Sequence, residues 1–140
     1  MKYLTLLSLL FLSLSSFGQQ YSNPESVDYD SNGEHYLISN SNEGKILSYD
    51  LENDVLETFI SGVGAGPHGL EVVGNEVYAC SGSRLKAYDL QSGEETVNIN
   101  LGATFANGIT HKVNDVFVTD FSGKDIFRYN ITSGSFNMYI

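Results

Sequence analysis

The chain has 140 residues, with 17 acidic and 7 basic side chains and a formal net charge of −10. Because 41% of the residues are hydrophobic and only 17% are charged, the composition is that of one folded domain and not of a disordered chain. The scattered basic residues argue against nucleic acid as a partner, since phosphate backbones are bound by clustered Lys and Arg. A single cysteine, Cys80, excludes an intrachain disulfide framework.

The first residues have the pattern of a secretory signal peptide. Lys2 supplies a positive charge, residues 4–14 form an apolar run, and small residues follow up to Gly18. The run is shorter than the roughly 20 apolar residues of a transmembrane helix. We therefore predict a signal peptide over residues 1–19 and a periplasmic or secreted protein that has no membrane attachment after cleavage.

Residues 23–140 contain three copies of a motif that repeats about every 40 residues. Each copy has four short segments of strand character, separated by turn residues such as Asn-Gly, Asn-Asp and Ser-Gly. Equivalent positions are occupied by Val27, Leu70 and Ile109, by Ile38, Ala79 and Val118, and by Tyr49, Tyr88 and Tyr129.

Four strands in a repeat of about 40 residues are typical of a β-propeller blade. No segment of the mature chain shows the apolar period of a helix. The sequence therefore predicts an all-β fold with three four-stranded antiparallel blades, at residues 23–62, 66–102 and 105–140.

Propellers close into a ring with about four to eight blades, whereas residues 23–140 supply three. We expect the chain to be the N-terminal part of a six-bladed protein. Two alternatives are a ring closed by two three-bladed chains and an open arc. Open blade edges would offer surfaces for self-association, because unpaired strands bind other strands.

One polar residue precedes the first strand of each blade, at Glu25, His68 and Asn107. In a propeller these positions surround the mouth of the central channel, so the three side chains are expected to meet. Glu25 and Asn107 offer the oxygen ligands that a hard cation such as Ca²⁺ prefers, and His68 suits a softer transition metal. The alternative is that Pro-x-Gly forms a turn and leaves these side chains merely exposed.

The segments PESVDYD, GPHGLEV, FANGIT and VFVTDFSGKDIFRYN resemble the six-bladed SMP-30/gluconolactonase-like propellers, in particular secreted bacterial members. The resemblance implies a Ca²⁺ or Zn²⁺ ion at the channel mouth, with Glu25 and Asn107 among its ligands. It also implies hydrolysis of a small lactone or ester, which His68 would contact. Further ligands and the general base of such proteins belong to later blades, so residues 1–140 alone are expected to be inactive.

Pro-x-Gly strand entries also occur in NHL-repeat proteins and in streptogramin-lyase-like proteins. A non-catalytic secreted NHL-type propeller that binds a ligand or a protein is therefore an alternative, and so is a lyase-like enzyme that relies on His68. An enzyme needs convergent acids at the channel mouth, whereas a binding module would have apolar or aromatic residues there.

Other polar residues have structural interpretations. Cys80 lies in an apolar strand and is predicted to be a buried, unreactive thiol. Asp120 follows a strand and is expected to bind turn amides. His35 and His111 flank predicted strands and are interpreted as hairpin residues.

Overall fold

The computed structural model describes residues 21–140, so the predicted signal peptide lies outside the described residues. This part of the chain forms three four-stranded antiparallel sheets, and the strands of each sheet pair in chain order. A single 3₁₀ turn, Ser41–Glu43, is the helical element of residues 21–140. Within the same range, no helix has the length and apolarity needed to cross a bilayer.

The three sheets coincide with the three predicted blades. Blade 1 consists of β1 (Val27–Asp30), β2 (His35–Asn40), β3 (Lys45–Asp50) and β4 (Val55–Ser61). Blade 2 consists of β5 (Leu70–Val73), β6 (Glu76–Ser81), β7 (Arg84–Asp89) and β8 (Glu95–Asn100). Blade 3 consists of β9 (Ala106–Lys112), β10 (Asp115–Asp120), β11 (Ile126–Asn130) and β12 (Phe136–Met138). The predicted all-β fold is confirmed.

The third strand of every blade ends in a side chain that caps the following turn. Asp50 Oδ1 accepts the backbone N–H groups of residues 52 and 53, and Asp89 Oδ1 accepts those of residues 91 and 92. Asn130 Oδ1 accepts the N–H of residue 133. Asp and Asn favour turns because they can bond their own backbone in this way, which explains the recurrence of Tyr-Asp/Asn at these positions.

Neighbouring blades pack face to face. We call the face that a blade turns toward the next blade in the chain its leading face, and the opposite one its trailing face. The first interface is an apolar core between blades 1 and 2, formed by Leu37, Ile46, Ile60, Val63, Leu70, Val77, Ala79, Tyr88 and Leu90. The second lies between blades 2 and 3 and includes Tyr78, Cys80, Leu85, Ala87, Val116, Val118, Phe127 and Tyr129. The alternation of residues along the two middle strands of blade 2 therefore serves two cores.

The first strands of the blades lie side by side, since β1 contacts β5 and β5 contacts β9. Polar side chains join them across the blade boundaries. Ser26 Oγ accepts the N–H of Leu70 at 3.1 Å, and Asp28 Oδ2 accepts the N–H of Val72 at 2.6 Å. These contacts fix the register of adjacent blades and bring the three strand entries together.

Candidate functional site at the channel mouth

Each strand entry is held by the second strand of its own blade. In blade 1, Ser39 Oγ accepts the backbone N–H groups of Glu25 at 3.0 Å and of Ser26 at 2.7 Å. In blade 3, the equivalent Thr119 Oγ1 accepts the N–H of Gly108 at 3.0 Å. In blade 2 the equivalent residue is Cys80, and its backbone carbonyl accepts the N–H of His68 at 3.0 Å. The three second strands thus hold the three strand entries, although Asn107 lies within β9 and does not precede it as predicted.

In each second strand, the residue that follows Ser39, Cys80 or Thr119 is polar and buried. This residue anchors the segment that leads into the blade. Asn40 Oδ1 accepts the N–H of Ser22, and Ser81 Oγ donates to the carbonyl of Val63 at 2.9 Å. Asp120, which is 4% exposed, accepts the N–H groups of residues 104, 105, 122 and 123 at 2.6–3.1 Å. The structural role predicted for Asp120 is confirmed.

Asp120 is held in its charged form. Desolvation on burial raises the pKa of the carboxyl, but the backbone N–H groups of Gly123, Thr104, Phe105 and Ser122 outweigh it and leave the pKa below its ordinary value. The charged carboxylate therefore fixes the approach to the third strand entry, where Asn107 lies.

Glu25, His68 and Asn107 line one cavity of about 220 Å³, together with Ser26, Gly69, Gly108 and Ile109. The predicted meeting of the three entry residues from three blades is thus observed. Glu25 is the most constrained of them. Its Oε2 lies 3.0 Å from Nδ1 of His68, and its Oε1 accepts from Asn23 Nδ2 at 2.8 Å and from Ser41 Oγ at 3.3 Å.

Close backbone approach explains the glycine of the second entry. Gly69 lies outside the positive-φ region, so its backbone conformation does not by itself require a glycine. A Cβ at Gly69 would collide with the carbonyl oxygen of Asn107 and would lie 2.9 Å from Cγ2 of Ile109. The absence of a side chain lets β5 and β9 approach, which brings Asn107 beside His68.

Two aromatic residues that the sequence interpretation did not single out adjoin the cavity. The ring of Phe105 meets that of His68 edge-on, with centroids 4.6 Å apart, and Phe121 meets Phe105 edge-on at 6.1 Å. Phe121 is 74% exposed. The sequence could have indicated these two aromatic residues through their neighbours. Phe105 lies two residues before Asn107, and Phe121 directly follows Asp120. An aromatic row therefore leads from His68 to the protein surface.

A second acid–imidazole pair lies on the first strands of blades 2 and 3. His111 Nδ1 lies 2.6 Å from Oε1 of Glu71, which also accepts the backbone N–H of His111 at 3.2 Å. His111 belongs to the β9–β10 hairpin, as predicted, and it also bridges to the neighbouring blade, which was not predicted. His35 does follow a hairpin turn, and its Nδ1 lies 3.0 Å from the carbonyl of Gly33, as predicted.

The donors at the channel mouth do not make a complete site for either expected cation. Within residues 21–140, no three His, Cys, Asp or Glu side chains are grouped to hold a metal ion. Glu25, His68 and Asn107 offer one carboxylate, one imidazole and one amide, whereas Ca²⁺ takes six to eight oxygens. These residues alone therefore do not fit Ca²⁺ or a closed zinc site.

Cys80 is not a catalytic candidate. The thiol is fully buried in the core between blades 2 and 3, and burial raises its pKa to about 12. A thiol in this state is not ionised near neutral pH and is a poor nucleophile. The predicted buried, unreactive cysteine is confirmed.

No family model matches this sequence, and no curated protein matches it. Solved structures do match. A chain of a nidogen/laminin complex superposes with a TM-score of 0.73 at 14% identity, over 88% of this chain and 49% of that chain. The β-propeller domain of Myceliophteria thermophila Cps50 (Swd1) superposes with a TM-score of 0.68 at 16% identity, over 86% of this chain and 39% of that chain. The fold is a β-propeller.

Hydrazine synthase of Kuenenia stuttgartiensis also matches this propeller, with a TM-score of 0.73 at 14% identity over 91% of this chain and 38% of that chain. The chain thus spans half or less of each of these structures. Identities this low show the fold alone. Membership of the SMP-30/gluconolactonase family stays a prediction, because it rests on the sequence segments and no family model supports it.

Proposed function

We propose that this chain is part of a secreted β-propeller that binds a basic side chain of a partner protein at its channel mouth and carries out no chemistry there. The observation that carries the proposal is the cavity in which Glu25, His68 and Asn107 of three blades converge. Its volume of about 220 Å³ is suited to a side chain of a partner and small for a free drug-sized ligand.

The chemistry of the cavity favours a cation. Glu25 supplies a carboxylate and Asn107 an amide oxygen, both of which accept hydrogen bonds from a guanidinium or ammonium group. The exposed ring of Phe121 adds a surface on which an arginine can stack. The net charge of −10 would attract a basic partner over a longer range.

The structural neighbours show the fold and do not identify a partner. One belongs to a nidogen/laminin complex, and another is composed of the WD40 repeats of RRP9. Secretion is proposed on the basis of residues 1–19, and N-terminal sequencing of the protein exported by a bacterial host tests it.

A divalent-metal-dependent lactone hydrolase is the second candidate. One observation favours it, namely that Glu25 and Asn107, which the sequence predicts as cation ligands, line the same cavity. The hydrolase requires further carboxylate or amide ligands and a general base, and among residues 21–140 the cavity has Glu25 as its single carboxylate. Calcium and zinc titration by calorimetry tests this candidate. Binding that both Glu25→Gln and Asn107→Ala weaken would favour the hydrolase.

The proposed binding is tested with N-acetyl-arginine amide, and N-acetyl-citrulline amide is the neutral control of the same shape. We expect the arginine compound to shift backbone amide resonances of Glu25, His68 and Asn107 in NMR titrations. Glu25→Gln should weaken its binding at least tenfold. Glu52→Gln, which removes the same charge from an exposed turn, should change binding less than twofold. Equal binding of citrulline, or of arginine by the Glu25→Gln variant, would contradict the proposal.

A further inference from the structure

The dipeptide Asn-Gly occurs twice in the chain, at Asn32–Gly33 and at Asn107–Gly108. An asparagine before glycine is prone to spontaneous deamidation, because glycine has no side chain to shield its backbone nitrogen from the asparagine amide. The reaction requires this nitrogen to lose its proton and to reach Cγ of the asparagine. The surroundings of the glycine N–H therefore decide which of the two asparagines reacts.

Asn32 and Gly33 lie in the turn between β1 and β2, and both residues are exposed. Among residues 21–140, no group accepts a hydrogen bond from the N–H of Gly33, whereas the N–H of Asn32 donates to Asp30 Oδ1 at 2.9 Å. The exposure does not depend on neighbouring blades. Blade 2 is packed on both its leading and its trailing face, and its equivalent turn residues, Gly74 and Asn75, are exposed as well. The nitrogen of Gly33 is therefore free to react.

Asn107 and Gly108 are held within β9 at the channel mouth. Thr119 Oγ1 accepts the N–H of Gly108 at 3.0 Å, and it also lies 3.4 Å from the carbonyl oxygen of Gly108. A hydrogen bond to the N–H stabilises the protonated nitrogen and makes its ionisation harder. The carbonyl oxygen of Asn107 lies directly against Gly69, so the peptide plane between Asn107 and Gly108 is fixed on both sides. This copy of the dipeptide is therefore shielded.

We propose that Asn32 is a site of spontaneous deamidation and that Thr119 protects Asn107 from the same reaction. The nitrogen of Gly33 gives its proton to solvent hydroxide and attacks Cγ of Asn32. The new N–Cγ bond closes a succinimide, and the Cγ–Nδ2 bond breaks as the nitrogen takes a proton from water and leaves as ammonia. Water then opens the ring at Cγ to give aspartate, or at the backbone carbonyl carbon to give isoaspartate. The inference does not depend on what the channel mouth binds.

The two products differ in their effect on the turn. Isoaspartate adds one carbon to the main chain between β1 and β2, whose pairing ends at Asp30 and His35. Gly33 lies against both of these side chains, since a Cβ on Gly33 would come within 2.8 Å of each. The longer turn must therefore displace His35 or Asp30. At Asn107, the same reaction would add a carboxylate to the channel-mouth cavity.

Incubation of the purified chain at pH 8, folded and in urea, tests the proposal. Tandem mass spectrometry of its peptides locates each amide that has become an acid, and isoaspartate methyltransferase labels the isoaspartate. In urea the two asparagines should deamidate at similar rates, whereas in the folded protein Asn32 should react at least tenfold faster than Asn107. Asn32→Gln should abolish the reaction at this turn, because glutamine must close a larger ring, and should leave the rate at Asn107 unchanged.

Thr119→Ala should raise the rate at Asn107 in the folded protein at least fivefold, whereas Thr119→Ser keeps the hydroxyl and should keep the protection. Thr110→Ala, at an exposed position of the same strand as Asn107, is the matched control and should leave this rate unchanged.

The comparison of folded with urea-unfolded wild type does not require any variant to fold. Equal rates at Asn32 and Asn107 in the folded protein would overturn the proposal, and so would an Asn32 that reacts at least tenfold more slowly when folded than in urea. An unchanged rate at Asn107 in a folded Thr119→Ala protein would contradict the protective role of Thr119.

Discussion

Glu71 and His111 lie 40 residues apart in the chain, yet Oε1 of Glu71 is 2.6 Å from Nδ1 of His111. The pair joins the first strands of blades 2 and 3 on the side where the blades converge. Both side chains are partly exposed, so solvent weakens the attraction between them. The pair therefore contributes to the docking of one blade on the next and is not the main source of stability.

A double-mutant cycle with Glu71→Gln and His111→Gln should measure this contribution. We expect a coupling free energy of about 0.5–1 kcal/mol, as for other partly exposed charged pairs. Chemical denaturation of the four proteins at pH 6 gives the value. A cycle between Glu71→Gln and His35→Gln is the control and should give additive changes, because His35 contacts Gly33 and Asp30 whereas Glu71 contacts His111.

Gly69→Ala should destabilise the fold by about 3 kcal/mol, the upper part of the range for overpacking. The added methyl would meet the backbone oxygen of Asn107, which cannot rotate away as a side chain could. Gly102→Ala is the control, because a Cβ at Gly102 meets nothing within 4 Å. We expect this substitution to destabilise the fold by about 1 kcal/mol, since Gly102 has a φ of 76° that alanine adopts unfavourably. Equal losses in the two variants, measured by denaturant unfolding, would show that β5 and β9 do not approach closely.

The blades and the meeting of the entry residues could be predicted from the sequence, because both follow from a repeat that occurs three times. Pairing within a blade is local, and the turn residues mark its strands. Contacts that occur once could not be predicted in this way. The Phe105–His68 contact and the Glu71–His111 pair depend on how two blades rotate against each other, which no spacing within one blade encodes.

The role of Gly69 was missed for a related reason. A glycine in Pro-x-Gly has two explanations, a turn or a close approach, and the sequence does not distinguish them. Asp120 was easier to interpret, because an acid directly after a strand has turn amides within reach. The cation site could not be settled from Glu25 and Asn107, since a ligand set depends on every donor that reaches the cavity.

Acid should destabilise the protein in part through Asp120. The folded-state pKa of this carboxyl is below its ordinary value, so its contribution to stability is complete above the unfolded-state pKa of about 4 and is lost as the pH falls toward the folded-state pKa. Asp120→Asn should therefore lower the melting temperature at pH 7 and reduce the fall in stability between pH 5 and pH 3.

Asp125→Asn is the matched control for this prediction, because it removes the same charge from the same hairpin. Thermal unfolding across the pH range should show a steeper acid dependence for this control than for Asp120→Asn. If the two variants follow the same curve, the amide bonds of Asp120 do not stabilise its charged form.

Ser39 should control the binding site without lining it. Its hydroxyl accepts the backbone N–H groups of Glu25 and Ser26, and the side chain is fully buried. Ser39→Ala leaves these two donors without that acceptor, at a cost of about 1–3 kcal/mol, and releases the segment that carries Glu25. We expect a lower melting temperature and weaker binding of N-acetyl-arginine amide. Ser39→Thr should keep the wild-type melting temperature and binding, because blade 3 has Thr119 at this position. Ser48→Ala on β3 is the control and should change neither the melting temperature nor the binding. Unchanged binding by a folded Ser39→Ala protein would mean that the entry segment holds Glu25 in position without the hydroxyl.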